Sequence, residues 1–289
     1  MEQDRCEHSI AARSLRMIDM RSPRDLYRAL FARPSLHRLN RALFHLSLSG
    51  LGILNYEDDH VSGERHFVTR VLPRLLRPEP VFFDVGANVG TFSSLLLAKF
   101  PQAIVHAFEP HPRNYARLQS LGTRYNRVKC HNVALGDAEG TATLYDRADG
   151  DGSSHASLHE PVISELHGQG VVEVGVRVVT LDTIAEEQGV DYVDYLKIDT
   201  EGHELSVLKG AARLLAGNRI GCIQFEFNEM NVVSRVFFRD FRKTLAGYDL
   251  FRLLPRGLLP LNDSPLQTEL FAYQNIVALG KGVYPAKVR

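Results

Sequence analysis

The chain has 289 residues, of which 44% are hydrophobic and 24% charged, enough for one large globular domain with an appendage. Its 34 basic residues balance its 34 acidic ones, so no net field draws the whole chain to nucleic acid or to a membrane. Three cysteines (Cys6, Cys130, Cys222) with no C-x-x-C spacing argue against a disulfide framework and for free thiols in a reducing, cytoplasmic compartment.

The first residues are polar, with no apolar signal core, and the longest apolar stretch, residues 42–54, falls short of the roughly 20 residues of a membrane span. Residues 1–78 read as a helical extension. Its first 48 residues hold nine arginines, no lysine and five acids. That excess is either a solvated face or a surface for an anionic partner or lipid headgroups, a peripheral contact rather than a span. The segment is also placed to serve as a lid or as a homo-oligomer surface. Pro73, Pro78 and Pro80 break the helical pattern and set a boundary near residue 79.

From there to residue 289 the pattern alternates strand and helix. VFFDVG, AIVHAFEP, VKCHNVAL, VDYLKID and IGCIQFEF read as strands, with helices TFSSLLLAKF, RNYARLQSL, HELSVLKGAARLLA and SRVFFRDFRKTLAG between or after them. TATLYD and VEVGVRVV are extra strands around the loop DGDGSSHASL. YDLFRLL and QNIVALG close the chain without an intervening helix pattern, which suggests an antiparallel edge. The prediction is an α/β fold with a mostly parallel sheet covered by helices on both faces.

The first strand ends in D-x-G-x-x-x-G, with Asp84, Gly86, Asn88 and Gly90. This is not the G-x-G-x-x-G that closes on a pyrophosphate, and a carboxylate there disfavours phosphate. Asp84 suits a cation instead, such as the ammonium of an amino-acid-like cofactor. Glu109 ends the second strand, where an acid accepts both hydroxyls of a ribose. Ammonium plus ribose describes S-adenosylmethionine.

Together, VFFDVGANVGTFS, HAFEPHPRNYARL, NVALGD, TLDTI and YLKIDTEGHELSVLKGA resemble the FkbM family of S-adenosylmethionine-dependent O-methyltransferases, over roughly residues 60–280. The resemblance implies a class I (Rossmann-like) sheet of seven strands with the last antiparallel. It also implies methyl transfer to a hydroxyl, often on a sugar of a glycan or a metabolite. On that resemblance Asp84, Gly86, Asn88 and Gly90 contact the methionine part, Glu109 the ribose, and Asn132 and Val133 lie near the adenine.

Asp199, Glu201, His203 and Glu204 follow the fourth core strand. Asp199 and His203 are candidates to take the acceptor's proton, with Glu204 a capping or surface residue. Glu226 ends the fifth strand. With Asp199 it could hold a divalent cation such as Mg²⁺, or bond the substrate directly. Lys197 is expected to pair with a carboxylate, and His155, His159 and His167 to be loop residues lining the acceptor pocket. A nucleic-acid methyltransferase is disfavoured by the balanced charge, the KIDTEGHE turn and the lack of tryptophan for stacking a flipped base. A cofactor-binding subunit without turnover is the other alternative.

Overall fold

The computed structural model describes residues 22–147, 156–166 and 171–282. Cys6, the first four arginines, most of DGDGSSHASL, His155 and His167 lie outside them. The described residues fall into two compact units, divided between Gly50 and Leu51. The sequence puts a boundary at the prolines near residue 79, but residues 51–78 belong to the larger unit.

In the smaller unit, Ser22 caps helix Pro23–Phe31, its hydroxyl accepting from the Asp25 backbone N–H at 3.3 Å, with Pro23 in the first turn. A second helix, His37–Gly50, is tied back to it. Tyr27 Oη donates to Asn40 Oδ1 at 2.6 Å, and Asn40 Nδ2 donates to the Phe31 carbonyl at 2.8 Å.

The larger unit is built on strands β1 (Val81–Val85), β2 (Ile104–Phe108), β3 (Val128–His131), β4 (Ala134–Leu135), β5 (Gly140–Arg147), β6 (Val171–Val179), β7 (Val193–Ile198), β8 (Ile220–Phe227), β9 (Tyr248–Leu254), β10 (Gly257–Pro260) and β11 (Gln274–Gly280). Eight form one sheet in the order β10-β9-β11-β8-β7-β1-β2-β3. The five strands from β3 to β8 run parallel, and β11 inserts antiparallel between β8 and β9. This is the class I arrangement, seven strands with the last antiparallel, to which β10 adds an eighth. The extra strand folds back through a two-residue turn at Pro255–Arg256, which lacks the Asn-Gly or Asp-Gly signal of a hairpin. A smaller sheet, β4-β6-β5, uses the two extra strands.

Alternate residues of the central strands feed opposite faces. Phe83 and Val85 of β1 join one apolar cluster, with Leu181, Leu205 and Phe241 of the helices beyond β6. Phe82 joins the other, with Leu96, Leu97 and Phe100, and with Phe67, Val68 and Leu72 of the segment before β1. The expected helix 203–216 is divided into Glu204–Lys209 and Ala212–Ala216. Gly210 sits between the halves, where a Cβ would overlap the Gly136 carbonyl, so close approach of the β4 loop breaks the helix there.

A buried histidine pair links β2 to β3. His106 is fully buried and its Nδ1 lies 3.1 Å from His131 Nε2, with the rings stacked and Phe108 beneath His131. Burial pushes His106 from 6.5 down to about 3, and burial with Lys129 pushes His131 to about 4. Both are neutral in the fold and charge readily when unfolded. Their contribution to stability is therefore full above pH 6.5 and lost as pH falls from there toward 3–4. Urea unfolding as a function of pH should show this loss, and His106→Phe should flatten it relative to the parent chain.

Candidate active site

The turn after β1 is shaped by what approaches it. Gly86 has φ +82°, and a Cβ on it would overlap the Asp199 carbonyl oxygen at the end of β7. The backbone N–H groups of Gly86 and Ala87 donate to the Phe108 carbonyl at 3.0 and 2.9 Å. Gly90 and Asn88 are also left-handed, at φ +87° and +49°. Glu109 fastens the neighbouring loops. Its Oε2 accepts from the Asn88 N–H and its Oε1 from the His111 N–H, both at 2.8 Å. Burial raises its pKa to about 7, and these two bonds oppose the rise.

Asp84, expected at the cation end of the turn, is 1% exposed and lines neither of the two clefts at this end of the sheet. Its Oδ2 accepts from Ser93 Oγ at 2.6 Å, while its buried Oδ1 has no partner among the described residues. The β1–β7 register explains this placement, since it sets Asp84 opposite Lys197. Burial raises the Asp84 pKa and Lys197 opposes that rise. Lys197 Nζ itself donates to Asp199 Oδ2 at 2.7 Å and stands 4.7 Å above the Phe92 ring. Burial disfavours its charge, but Asp199, Glu64 and Asp84 outweigh burial and hold its pKa above the usual lysine value.

Two clefts meet at the carboxyl ends of β1 and β7. The first spans about 570 Å³ of space, part of it open to solvent. Glu109 stands on its wall, and Val133, Leu135, Leu144 and Leu158 make it apolar at one end. The second spans about 1150 Å³, also partly open to solvent, and is lined by Glu226, Asn228, Glu229, Met230, Leu54, Tyr56 and Tyr273. Gly86, Asn88, Asp199 and Glu201 border both.

The residues of the first cleft are of the kinds that could hold S-adenosylmethionine. It offers a strand-end carboxylate for a ribose, an apolar slot for a purine, and a glycine turn whose Gly86 and Asn88 border it beside Asp199. Of the adenine pair, Val133 lines the slot. Asn132 is exposed and outside the lining, its Nδ2 donating to the carbonyls of Glu109 and Pro110 at 2.9 and 3.0 Å, which holds that loop against the cleft. Glu109→Ala strips the acceptor from two loops and from the cleft wall. It should weaken cofactor binding about tenfold or more, a loss of about 1–3 kcal/mol. Calorimetry giving parental affinity would remove Glu109 from the site.

His203 lines the first cleft and not the second. Its Nδ1 is 3.5 Å from His159 Nε2, and burial with His159 lowers its pKa to about 4. It is neutral at pH 7 but a weak base, and it stands away from the larger cleft. Glu204 is 2% exposed, and its Oε1 accepts from the Thr200 N–H, the Thr200 hydroxyl and the Gly202 N–H at 3.0–3.2 Å. It clamps the turn that carries Asp199 and Glu201, and Glu201 is held there at φ +53°.

Glu226 faces the second cleft, accepting from Asn228 Nδ2 at 3.4 Å. Burial first, then Asp199 and Glu201, raise its pKa well above 4.5. No group of three or more His, Cys, Asp or Glu among the described residues is arranged to hold a metal ion. The carboxylate pair Asp199 and Glu226 therefore stands without the further ligands a cation site would add. Sequence reasoning missed Tyr56, Tyr273 and Glu229, which belong to no motif and meet only in the fold. Tyr56 and Tyr273 pack edge to face at 5.9 Å, and Tyr273 Oη accepts from Asn275 Nδ2 at 2.9 Å.

Residues 84–250, more than half the chain, match the Methyltransferase FkbM domain. The chain belongs to this family. It is an enzyme that transfers methyl groups, and its fold is that of S-adenosylmethionine-dependent methyltransferases. Among its curated relatives is the 2-O-methyltransferase NoeI of Sinorhizobium fredii, 26% identical over 200 residues, which cover 65% of this chain and 80% of that protein. The 31-O-demethyl-FK506 methyltransferase FkbM of Streptomyces tacrolimicus is 30% identical over 158 residues, covering 47% and 60%. The hexuronic acid methyltransferase AglP of Haloferax volcanii is 29% identical over 151 residues, covering 51% and 56%. The match thus spans less than two thirds of the last two proteins' length. In this FkbM-family chain no helix among the described residues is long and apolar enough to cross a membrane.

Proposed function

We propose that this FkbM-family enzyme is an O-methyltransferase acting on a hydroxyl of a sugar, in a glycan or a glycosylated metabolite. One observation carries the reading: Asp199 borders both clefts while Glu226 faces the larger one, so carboxylates stand where two ligands would meet. The names of NoeI and FkbM, both methylating oxygen, support the same chemistry.

S-adenosylmethionine, bound by Glu109, the glycine turn and the apolar slot, supplies an electrophilic methyl group. The chain's own work is to hold an acceptor oxygen in line and to remove its proton. Positioning contributes most of the barrier reduction, and a general base about 10² to 10⁴-fold. Glu226 is the carboxylate suited to receive that proton, because its raised pKa makes it the stronger base once ionised. Asp199, anchored by Lys197 at 2.7 Å, is the fixed partner that borders the meeting point. His203, on the cofactor side, orders the cleft wall rather than the acceptor.

The test is incubation with methyl-labelled cofactor and fractionated cell glycans, followed by hydrolysis of the labelled product. Label recovered in sugar methyl ethers is expected. Label recovered solely on nitrogen, on protein or on nucleic acid would overturn the reading.

A further inference from the structure

The acceptor cleft has a charge pattern that narrows its ligand. Asp199, Glu201, Glu226 and Glu229 line it, and among the described residues no lysine, arginine or histidine does. Asp199 is already bonded to Lys197, and Glu201 stands on the border shared with the cofactor cleft. Glu226 and Glu229 face the larger cleft alone. An anionic ligand entering there meets the carboxylates of Asp199 and Glu229 in a partly desolvated space, which costs Coulomb energy at contact distance, and it further opposes ionisation of Glu226. A neutral polyol meets no such penalty but leaves the field unused.

The second observation is aromatic. Tyr56 and Tyr273 stand at 83° to one another on the same wall. Tyr273 is fixed at both ends, its backbone carbonyl accepting from the Leu54 N–H at 2.8 Å and its hydroxyl accepting from Asn275. A tyrosine ring attracts a cation that reaches its face, through the ring quadrupole. Carboxylates and ring faces independently favour the same charge.

We infer that the acceptor carries a protonated amine close to the methylated hydroxyl, as an aminosugar does. This rests on the hydroxyl-methylating reading above and narrows it. It also sets this enzyme apart from a relative named for a hexuronic acid. The chemistry is self-consistent. Burial first, then Asp199, Glu201 and Glu64, disfavour ionised Glu226, while Lys197 favours it. A bound ammonium would add to Lys197, ionise Glu226, and so prepare the base only when the right acceptor is present.

The experiment uses the full chain and four methyl hexosides alike except at one carbon: free amine, N-acetyl, hydroxyl, and the uronate. Transfer is followed with labelled cofactor, and binding by calorimetry on protein saturated with S-adenosylhomocysteine. The free amine should exceed the neutral sugars about tenfold or more in kcat/KM, and in affinity if no probe turns over, with the uronate last. Glu229→Lys should lower the amine-to-uronate ratio at least tenfold while cofactor affinity holds. Equal use of all four, a preference for the uronate, or binding by none would overturn the inference. Label found on nitrogen of the amine would sink the hydroxyl reading and the inference together, since a nitrogen that accepts methyl must first lose the proton assigned to it here, whereas label on oxygen without preference for the amine would sink the inference alone.

Discussion

Glu226→Gln should reduce kcat by about 10² to 10⁴-fold with little change in cofactor affinity, because it removes a proton acceptor without emptying the cofactor cleft. Asp199→Asn should fall in the same range, and should also release the Lys197 ammonium from its 2.7 Å partner. The two variants separate by pH. Glu226 is effective as a base only when ionised, and its pKa is raised well above 4.5 by burial, Asp199 and Glu201. Parental activity should therefore rise with pH through that elevated value, and the Gln variant should lose this limb. A pH–rate profile unchanged by Glu226→Gln, or a variant with parental kcat, would take Glu226 out of proton transfer. His203→Ala, by contrast, should act mainly through cofactor binding, since His203 borders the cofactor cleft alone.

Gly86→Ala should be the most damaging single change to the cofactor cleft. A non-glycine residue at φ +82° costs about 1–2 kcal/mol, and the new Cβ must also displace the Asp199 carbonyl. The end of β7 would move, carrying Asp199 with it. Cofactor affinity should fall at least a hundredfold, or the melting temperature should drop by several degrees, or both. Gly175→Ala is the control: it lies in β6 with nothing within 4 Å of its added Cβ, and it should be silent. Parental affinity and stability in Gly86→Ala would refute the close-approach argument.

The core of the sheet was legible because its strands are mostly apolar runs. IGCIQFEF and QNIVALG coincide with β8 and β11, Ile220–Phe227 and Gln274–Gly280. Such runs point to burial on both faces without any alignment. Glu109 was legible too, since position at a strand end is a matter of counting residues. What resisted reading depended on distant pairing. Asp84 could be recognised as an acid before a glycine, but its burial follows from a register that sets it opposite Lys197, over a hundred residues away. Tyr273 reaches the second cleft just before β11, and Tyr56 comes from the other end of the chain. No local pattern announces either. Helix 203–216 read as continuous because the break at Gly210 is imposed by Gly136, a neighbour only in space.

The stretch from Leu51 to Leu72 has a practical meaning for anyone who shortens this protein. Leu51 lends its carbonyl to Arg252, a guanidinium 2% exposed that also bonds Gln274 and Gln267. Glu64 receives the Gln224 amide at 2.8 Å, beneath the sheet. Phe67, Val68 and Leu72 are wholly or almost wholly sealed from water. A chain trimmed to begin at the first strand of the sheet would forfeit all of these. Each large apolar side chain is worth roughly 1.5–3 kcal/mol on burial, against a typical margin of only about 5–15 kcal/mol for a whole domain. Such a product should emerge insoluble. Trimming is better made at the Gly50–Leu51 junction, where the molecule itself divides.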